Sequence, residues 1–257
     1  GGHEVKYPHN SKPITGILVP LTGLRSAESL GCGEFPDLVE LGSWCASAGI
    51  ELIQLLPVND TGGESSPYSA LSASALHPIY LRLQALPEYG ALPEKRRTEI
   101  DAKVRSARER FEPAARFDYD GLLRTKIDLL REIFASVESS VSTTTAIEEF
   151  ARARRWVYVY AVFRALKRLY GERAWTEWPA DREVDETTLG ALIKRPDIEH
   201  DVRFFSWVQL RASCQFESVA NELDRNGVAL KGDLPILMNE DSADAWFDRD
   251  IFRTELL

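Results

Sequence analysis

Disulfide chemistry, metal ligation and nucleotide binding all lack their usual marks in this chain. Its three cysteines, Cys32, Cys45 and Cys214, are too few and too scattered for a disulfide framework. An odd count with no Cys-x-x-Cys reads as reduced thiols of a cytoplasmic protein. Cys45 falls on an apolar helical stripe and is expected to be buried and inert. His3, His9, His77 and His200 have no His-x-x-x-His or comparable spacing, so no metal site is expected. No Gly-x-Gly-x-x-Gly or Gly-x-x-x-x-Gly-Lys loop is present, which argues against nucleotides. A Gly-x-Ser-x-Gly nucleophile elbow is missing as well. No apolar run approaches the ~18 residues of a membrane span, and no charged and apolar leader opens the chain. The net charge of -9 repels phosphate backbones, so nucleic acid is not an expected partner.

With 44% hydrophobic and 28% charged residues over 257 positions, the chain reads as a folded globular protein. Two short apolar runs, Thr15-Gly-Ile-Leu-Val-Pro20 and Ile50-Glu-Leu-Ile-Gln-Leu-Leu-Pro57, predict strands. Between them Leu38, Leu41 and Cys45 recur at helical spacing. Pro36 suits the first turn of that helix and Gly49 its end. Strand, helix, strand is a βαβ unit with a parallel sheet, and near-continuous apolar strands predict cover on both faces.

From about Ala85 the pattern turns helical. Pro93 to Arg110 is strongly charged, and Glu94-Lys-Arg-Arg97 reads as a solvated face. Helices are predicted over Gly121 to Ser139 and, as one long element, over Ala146 to Tyr170. Trp156, Tyr160, Phe163 and Leu166 form an apolar stripe there that reads as core. Loops are expected at Ser139 to Thr145 and Glu177 to Glu186. Another helix, Phe204 to Arg225, ends at Asn226-Gly227 and feeds a third strand from Val228. The organisation is thus α/β. Residues 1–84 hold the first βα units with a substrate loop, and 85–200 form a mainly helical insertion. Residues 201–257 hold a helix, the third strand and its following loop.

Two loops carry the candidate chemistry. Pro57 to Ser69 is rich in glycine and hydroxyls and contains Tyr68. The third strand ends in Gly232-Asp233, with Pro235 barring its continuation. In a parallel α/β fold the loops after the strands share one face. Hydroxyls, an aromatic ring and a carboxylate on that face suit a carbohydrate, whose hydroxyls need paired donors and acceptors and whose C–H faces pack on rings. Ser65-Ser66-Pro67-Tyr68 reads equally as an ordinary turn, and Asp233 as the cap of the turn after it. Asp241 and Ser242 read as helix caps, and Trp246 as packing.

A set of short motifs then falls into order: Gly16-Ile-Leu-Val-Pro20, Gln54-Leu-Leu-Pro57, Ser66-Pro-Tyr68, Ser72-Ala73 with His77-Pro78, Trp175 with Trp178-Pro179, and Gly232-Asp-Leu-Pro-Ile236 with Asp241-Ser-Ala-Asp244. Together, from about Pro13 to Phe252, they resemble the 4-α-glucanotransferases called amylomaltases or disproportionating enzymes, relatives of the α-amylases. The resemblance implies a (β/α)₈ barrel with helical insertions, of which this chain holds about three βα units, so that the barrel is incomplete. It implies transfer of α-1,4-glucan segments between maltooligosaccharides, with no cofactor. The double displacement retains configuration and uses two carboxyl groups about 5–5.5 Å apart.

In the family, the nucleophilic aspartate and the acid/base glutamate sit on later strands. They are therefore expected beyond Leu257, no catalytic residue is assigned in this chain, and the chain alone is expected to be inactive. Its stop after Arg253-Thr-Glu-Leu-Leu257 reads as a cut. What the resemblance places here is the substrate side: Ser66 and Tyr68 in the donor-sugar pocket, and Asp233 supporting the sugar. The tyrosine that the family often carries in a Thr-Gly-Tyr-Gly stretch, at an accessory glucan position, is lacking in Thr61-Gly62-Gly63, and Leu237 stands where an aromatic is usual. Another enzyme of the α-amylase clan, such as a hydrolase, and a non-catalytic glucan-binding module remain the alternatives.

Overall fold

The structure, a computed structural model, describes residues 13–112, 117–236 and 238–252. His3, His9 and Leu237 lie outside the described residues. Three parallel strands form one sheet in the order β1 (Gly16–Val19), β2 (Leu52–Leu55), β3 (Ala229–Lys231). Ile17 pairs with Ile53 and Ile53 with Leu230, while Leu18, Gln54 and Lys231 align on the opposite face. Because side chains alternate along a strand, this register sorts the residues by face. Ile53 and Leu55 are fully buried, and Ile17, Val19 and Leu230 pack with them against the helices.

The expected cover on both faces is not seen. Leu18 is 59% exposed, and Lys231 is exposed beside the half-buried Gln54. Among the described residues only one side of the sheet carries a helical layer.

Helix α1 (Asp37–Ser47) joins β1 to β2. Pro36 sits at its start with a helical φ of -64°, and Asp37 and Glu40 place carboxylates at the positive end of its dipole. Gly49 and Gly227, both at φ 74°, take the left-handed turn that ends a helix at minimal steric cost. Between β2 and β3 run α2 (Pro87–Ala91), α3 (Glu94–Phe111), α4 (Tyr119–Phe134), α5 (Val141–Ala153), α6 (Trp156–Leu169), α7 (Glu186–Leu192) and α8 (Glu199–Arg225). A short α9 (Ala243–Phe247) follows β3.

Two sequence expectations need correction. The predicted helix from Ala146 to Tyr170 is two helices, because Arg154 takes a non-helical conformation (φ -141°, ψ 89°). No proline or glycine marks the break. It lets Phe150 meet Trp156 edge-on at 6.3 Å, a tertiary contact that local propensity does not encode. The loop expected over Ser139 to Thr145 is mostly the first turn of α5.

The aromatic stripe is core, as read. Tyr160, Phe163 and Leu166 are fully buried, and Phe163 lies 5.6 Å from Trp178 and 5.8 Å from Trp246. One hydrophobic core runs through the strands, the helical segment and α8.

An ionic cluster is set inside it. Glu34 accepts from Arg82 Nε at 2.8 Å and from Lys126 Nζ, and Lys126 also donates to the Ile79 carbonyl at 2.7 Å. Arg82 pairs with Asp37 of α1 as well. Lys126 is fully buried, so its ammonium depends on Glu34 for compensation. Glu34→Gln should therefore cost about 3–5 kcal/mol of stability. The check is urea unfolding, where the midpoint should fall with an unchanged slope.

Candidate functional site

Adjacent parallel strands bring their following loops to one rim. The loop after β2 and the segment after β3 meet there along a series of contacts. Met238 bridges to Ala70, Asn239 N–H donates to the Ala70 carbonyl, and Ala243 N–H donates to the Leu71 carbonyl at 2.8 Å. Asn239 Nδ2 donates to Ser69 Oγ at 3.0 Å, and Ala73 N–H donates to Asp244 at 3.0 Å. Motif residues far apart in sequence thus pair in space: Ser72-Ala73 with Asp244, and Trp175 with Asp241, whose carboxylate accepts from Trp175 N–H at 3.0 Å.

At the end of this seam the Tyr68 hydroxyl donates to Asp233 Oδ2 at 3.2 Å. The other oxygen, Asp233 Oδ1, accepts from Leu234 N–H at 3.0 Å. Asp233 therefore caps its own turn and reaches across to Tyr68. Desolvation, then the hydrogen bond and charge of Asp233, raise the Tyr68 pKa, so the phenol remains a donor. Ser66 closes the turn that carries Tyr68, its carbonyl accepting from Ser69 N–H at 3.1 Å. The Ser66 side chain is exposed and forms no hydrogen bond among the described residues.

Ser242 caps α9 by accepting from Ala245 N–H at 3.1 Å, and Trp246 is fully buried. Asp241 is not a cap. It accepts from Lys167 of α6 and from Trp175 N–H, because the segment before α9 is pinned to the helical layer.

Beneath the loop lies a buried group that the sequence did not single out. Asp60 is 1% exposed and accepts from Gly62 N–H at 2.9 Å and from the Tyr160 hydroxyl at 2.5 Å. Arg164 Nε stands 3.7 Å away and His77 Nε2 3.6 Å away. Burial alone would raise the Asp60 pKa. Arg164, His77 and the two hydrogen bonds outweigh that and hold it below the usual carboxylate value. His77 is pushed down to about 4, chiefly by burial, and is neutral at physiological pH. Tyr119 of α4 completes the group, touching His77 Nε2 and, at 2.9 Å, Thr61 Oγ1.

A cavity of about 220 Å³ opens at the rim, lined in part by Asn59, Ser65, Pro67, His77 and Tyr119. A larger cleft of about 680 Å³ opens between α4 and α6 and shares Thr61 to Glu64 with the loop, and Ser66, Tyr68 and Asp233 line neither of the two. Of the buried group, Asp60, Tyr119 and Arg164 stood in no sequence motif, and Tyr160 read simply as core. Their polar partnership spans distant elements and leaves no local signature.

The rim thus pairs an aromatic and a carboxylate on a parallel α/β scaffold, and comparison with known proteins identifies the family. The profile of the 4-alpha-glucanotransferase family matches residues 19–256. A 4-alpha-glucanotransferase of Chlamydia pneumoniae is 36% identical over 245 residues, covering 94% of this chain and 45% of the relative. The 4-alpha-glucanotransferase DPE2 of Oryza sativa subsp. japonica is 33% identical over 245 residues, covering 93% of this chain and 25% of the relative. Among solved structures, the amylomaltase of Streptococcus agalactiae in complex with acarbose superposes with a TM-score of 0.77. That match has 21% identity and covers 94% of this chain and 47% of the other. The chain belongs to the 4-alpha-glucanotransferase family, and it spans less than half the length of these relatives.

The depressed pKa of His77 has a consequence for stability. Between pH 6.5 and about 4 the unfolded chain binds a proton at this histidine that the folded chain excludes. Stability should therefore fall as pH drops through that window, by up to about 3 kcal/mol at its lower end. Denaturant titrations across this range should show the slope, and His77→Asn should flatten it.

Proposed function

We propose that the protein bearing this chain is a cytoplasmic 4-α-glucanotransferase that moves α-1,4-glucan segments between maltodextrins with retention of configuration. The observation that carries this reading is the Tyr68–Asp233 contact at the rim shared by β2 and β3. A glucosyl ring needs an apolar surface for its C–H face and a fixed acceptor for its hydroxyls, and this pair offers both. On this reading Ser66, Tyr68 and Asp233 line the donor-sugar pocket. The acarbose complex of the structurally similar amylomaltase supports a saccharide ligand.

The three strands are, on the same reading, staves of a (β/α)₈ barrel. The uncovered face with Leu18, Gln54 and Lys231 is then the side that points to the barrel interior, which is filled by side chains from all the strands. The segment 85–200 is an insertion between the first βα units (1–84) and the third strand with its flanks (201–257). The nucleophile and the acid/base of the retaining mechanism belong to strands other than these three. By itself the chain should therefore release no glucose from maltotriose.

The test is disproportionation of maltotriose by the full-length protein, following glucose and longer maltodextrins together. Both should form. Shorter products alone would indicate a hydrolase, and unchanged substrate a binding module. Asp233→Asn keeps an oxygen for Leu234 N–H and so spares the turn, but it removes the charge. Turnover should fall by on the order of a hundredfold. Tyr68→Phe keeps the ring and should cost no more than about 1.5–3 kcal/mol, the range for a hydrogen bond to a charged group.

A further inference from the structure

The loop that carries Tyr68 is held from below by a chain of hydrogen bonds whose direction is fully determined. Ile79 N–H donates to His77 Nδ1 at 3.2 Å. A backbone N–H can only donate, so Nδ1 carries the lone pair and the single proton of the neutral ring is on Nε2. That Nε2–H faces the Tyr119 oxygen, which therefore accepts it. At the far end, Thr61 Oγ1 lies 2.6 Å from the Glu64 carbonyl, which can only accept, so the threonine proton is committed there. In the 2.9 Å contact between Thr61 and Tyr119 the tyrosine must then be the donor.

The order is Ile79, His77, Tyr119, Thr61, Glu64, with one proton per link and none left over. His77 is clamped edge-on between Tyr119 (5.6 Å, 90°) and Tyr80 (5.8 Å, 69°), so its ring has no freedom to turn. The chain ends on the turn that Glu64 N–H closes onto the Thr61 carbonyl at 3.2 Å, immediately before the Ser66–Ser69 turn that presents Tyr68.

We propose that Thr61, His77 and Tyr119 are positioning residues for the donor-sugar loop. The chain fixes that loop to helix α4 and so sets the Tyr68 hydroxyl against Asp233. This rests on the glucanotransferase reading for its effect on catalysis, but not for the arrangement itself. None of the three needs to touch the reacting atoms. Their effect is to keep the loop in one conformation before the sugar arrives, which reduces the ordering that binding must supply.

Three measurements on the full-length protein test it, the first of them independent of activity. Nitrogen-15 NMR of the histidine rings at neutral pH should show His77 as the neutral Nε2–H tautomer. A charged ring or the Nδ1–H tautomer would overturn the proposal. Amide exchange should rise in the segment from Gly62 to Ser69 on Tyr119→Phe, with the α6 and α8 amides unchanged. Unchanged loop protection, or a rise spread over the whole fold, would count against it.

In the maltotriose assay, Tyr119→Phe and Thr61→Val should each lower kcat/KM by about tenfold or more, since each cuts two links of the chain. Because both cut the Thr61–Tyr119 link, the double variant should lose less than the product of the two single losses. Multiplying losses would show that the two act separately and would sink the idea. A wild-type protein inactive on maltotriose would instead refute the glucanotransferase reading and leave the NMR and exchange results to judge the chain.

Discussion

The carboxylate of Asp60 is the constraint on which the site depends. A charge with 1% exposure survives in a protein interior only if its surroundings replace the water it lost. Here the replacements come from different parts of the chain: Gly62 from the loop itself, and Tyr160 and Arg164 from α6. Folding must bring all of them together or leave a bare anion in the core. The helical segment and the loop are therefore placed relative to each other by charge compensation as well as by apolar packing. That arrangement is more specific, because hydrophobic contact tolerates sliding and a hydrogen bond does not.

The same logic recurs on the other side of the rim. Asp241, Asn239 and Asp244 tie the chain after β3 to the loop after β2 and to the helices. Both segments that meet at Tyr68 and Asp233 are thus anchored away from their point of contact. The pair itself is partly open, Asn239, Asp241 and Asp244 are half-buried, and Asp60 is buried. A binding rim built this way can present polar groups to a ligand without relying on the ligand to organise them.

The sequence shows the strands and α1 clearly, because short apolar runs bounded by Pro20, Pro36, Gly49 and Pro57 leave few other readings. It also shows which two loops would share a face, since parallel strands admit only that arrangement. The break at Arg154 was not legible, because packing of Phe150 against Trp156 sets it and no residue type announces it. Asp241 misled for a related reason: an aspartate before a helix reads as a cap until a lysine 74 residues earlier reaches it. The Asp60 group was invisible for the same cause. Tyr160 sits on an apolar stripe, and nothing in that stripe says that its hydroxyl has a partner 100 residues away.

The two sequence readings of Asp233, turn cap and ligand group, prove compatible on the structure, and a count of its lone pairs shows why. An ionised carboxylate offers about four acceptor sites. Leu234 N–H uses one on Oδ1 and the Tyr68 hydroxyl one on Oδ2. About two remain, one on each oxygen, which matches the pair of donors that neighbouring hydroxyls of a sugar ring can present. The two occupied sites stop the carboxylate from rotating, so the two free ones keep fixed directions. On the reading proposed above, a sugar would bind Asp233 without displacing Tyr68. The tyrosine ring would stay in place as the apolar wall beside the hydroxyls that the aspartate accepts.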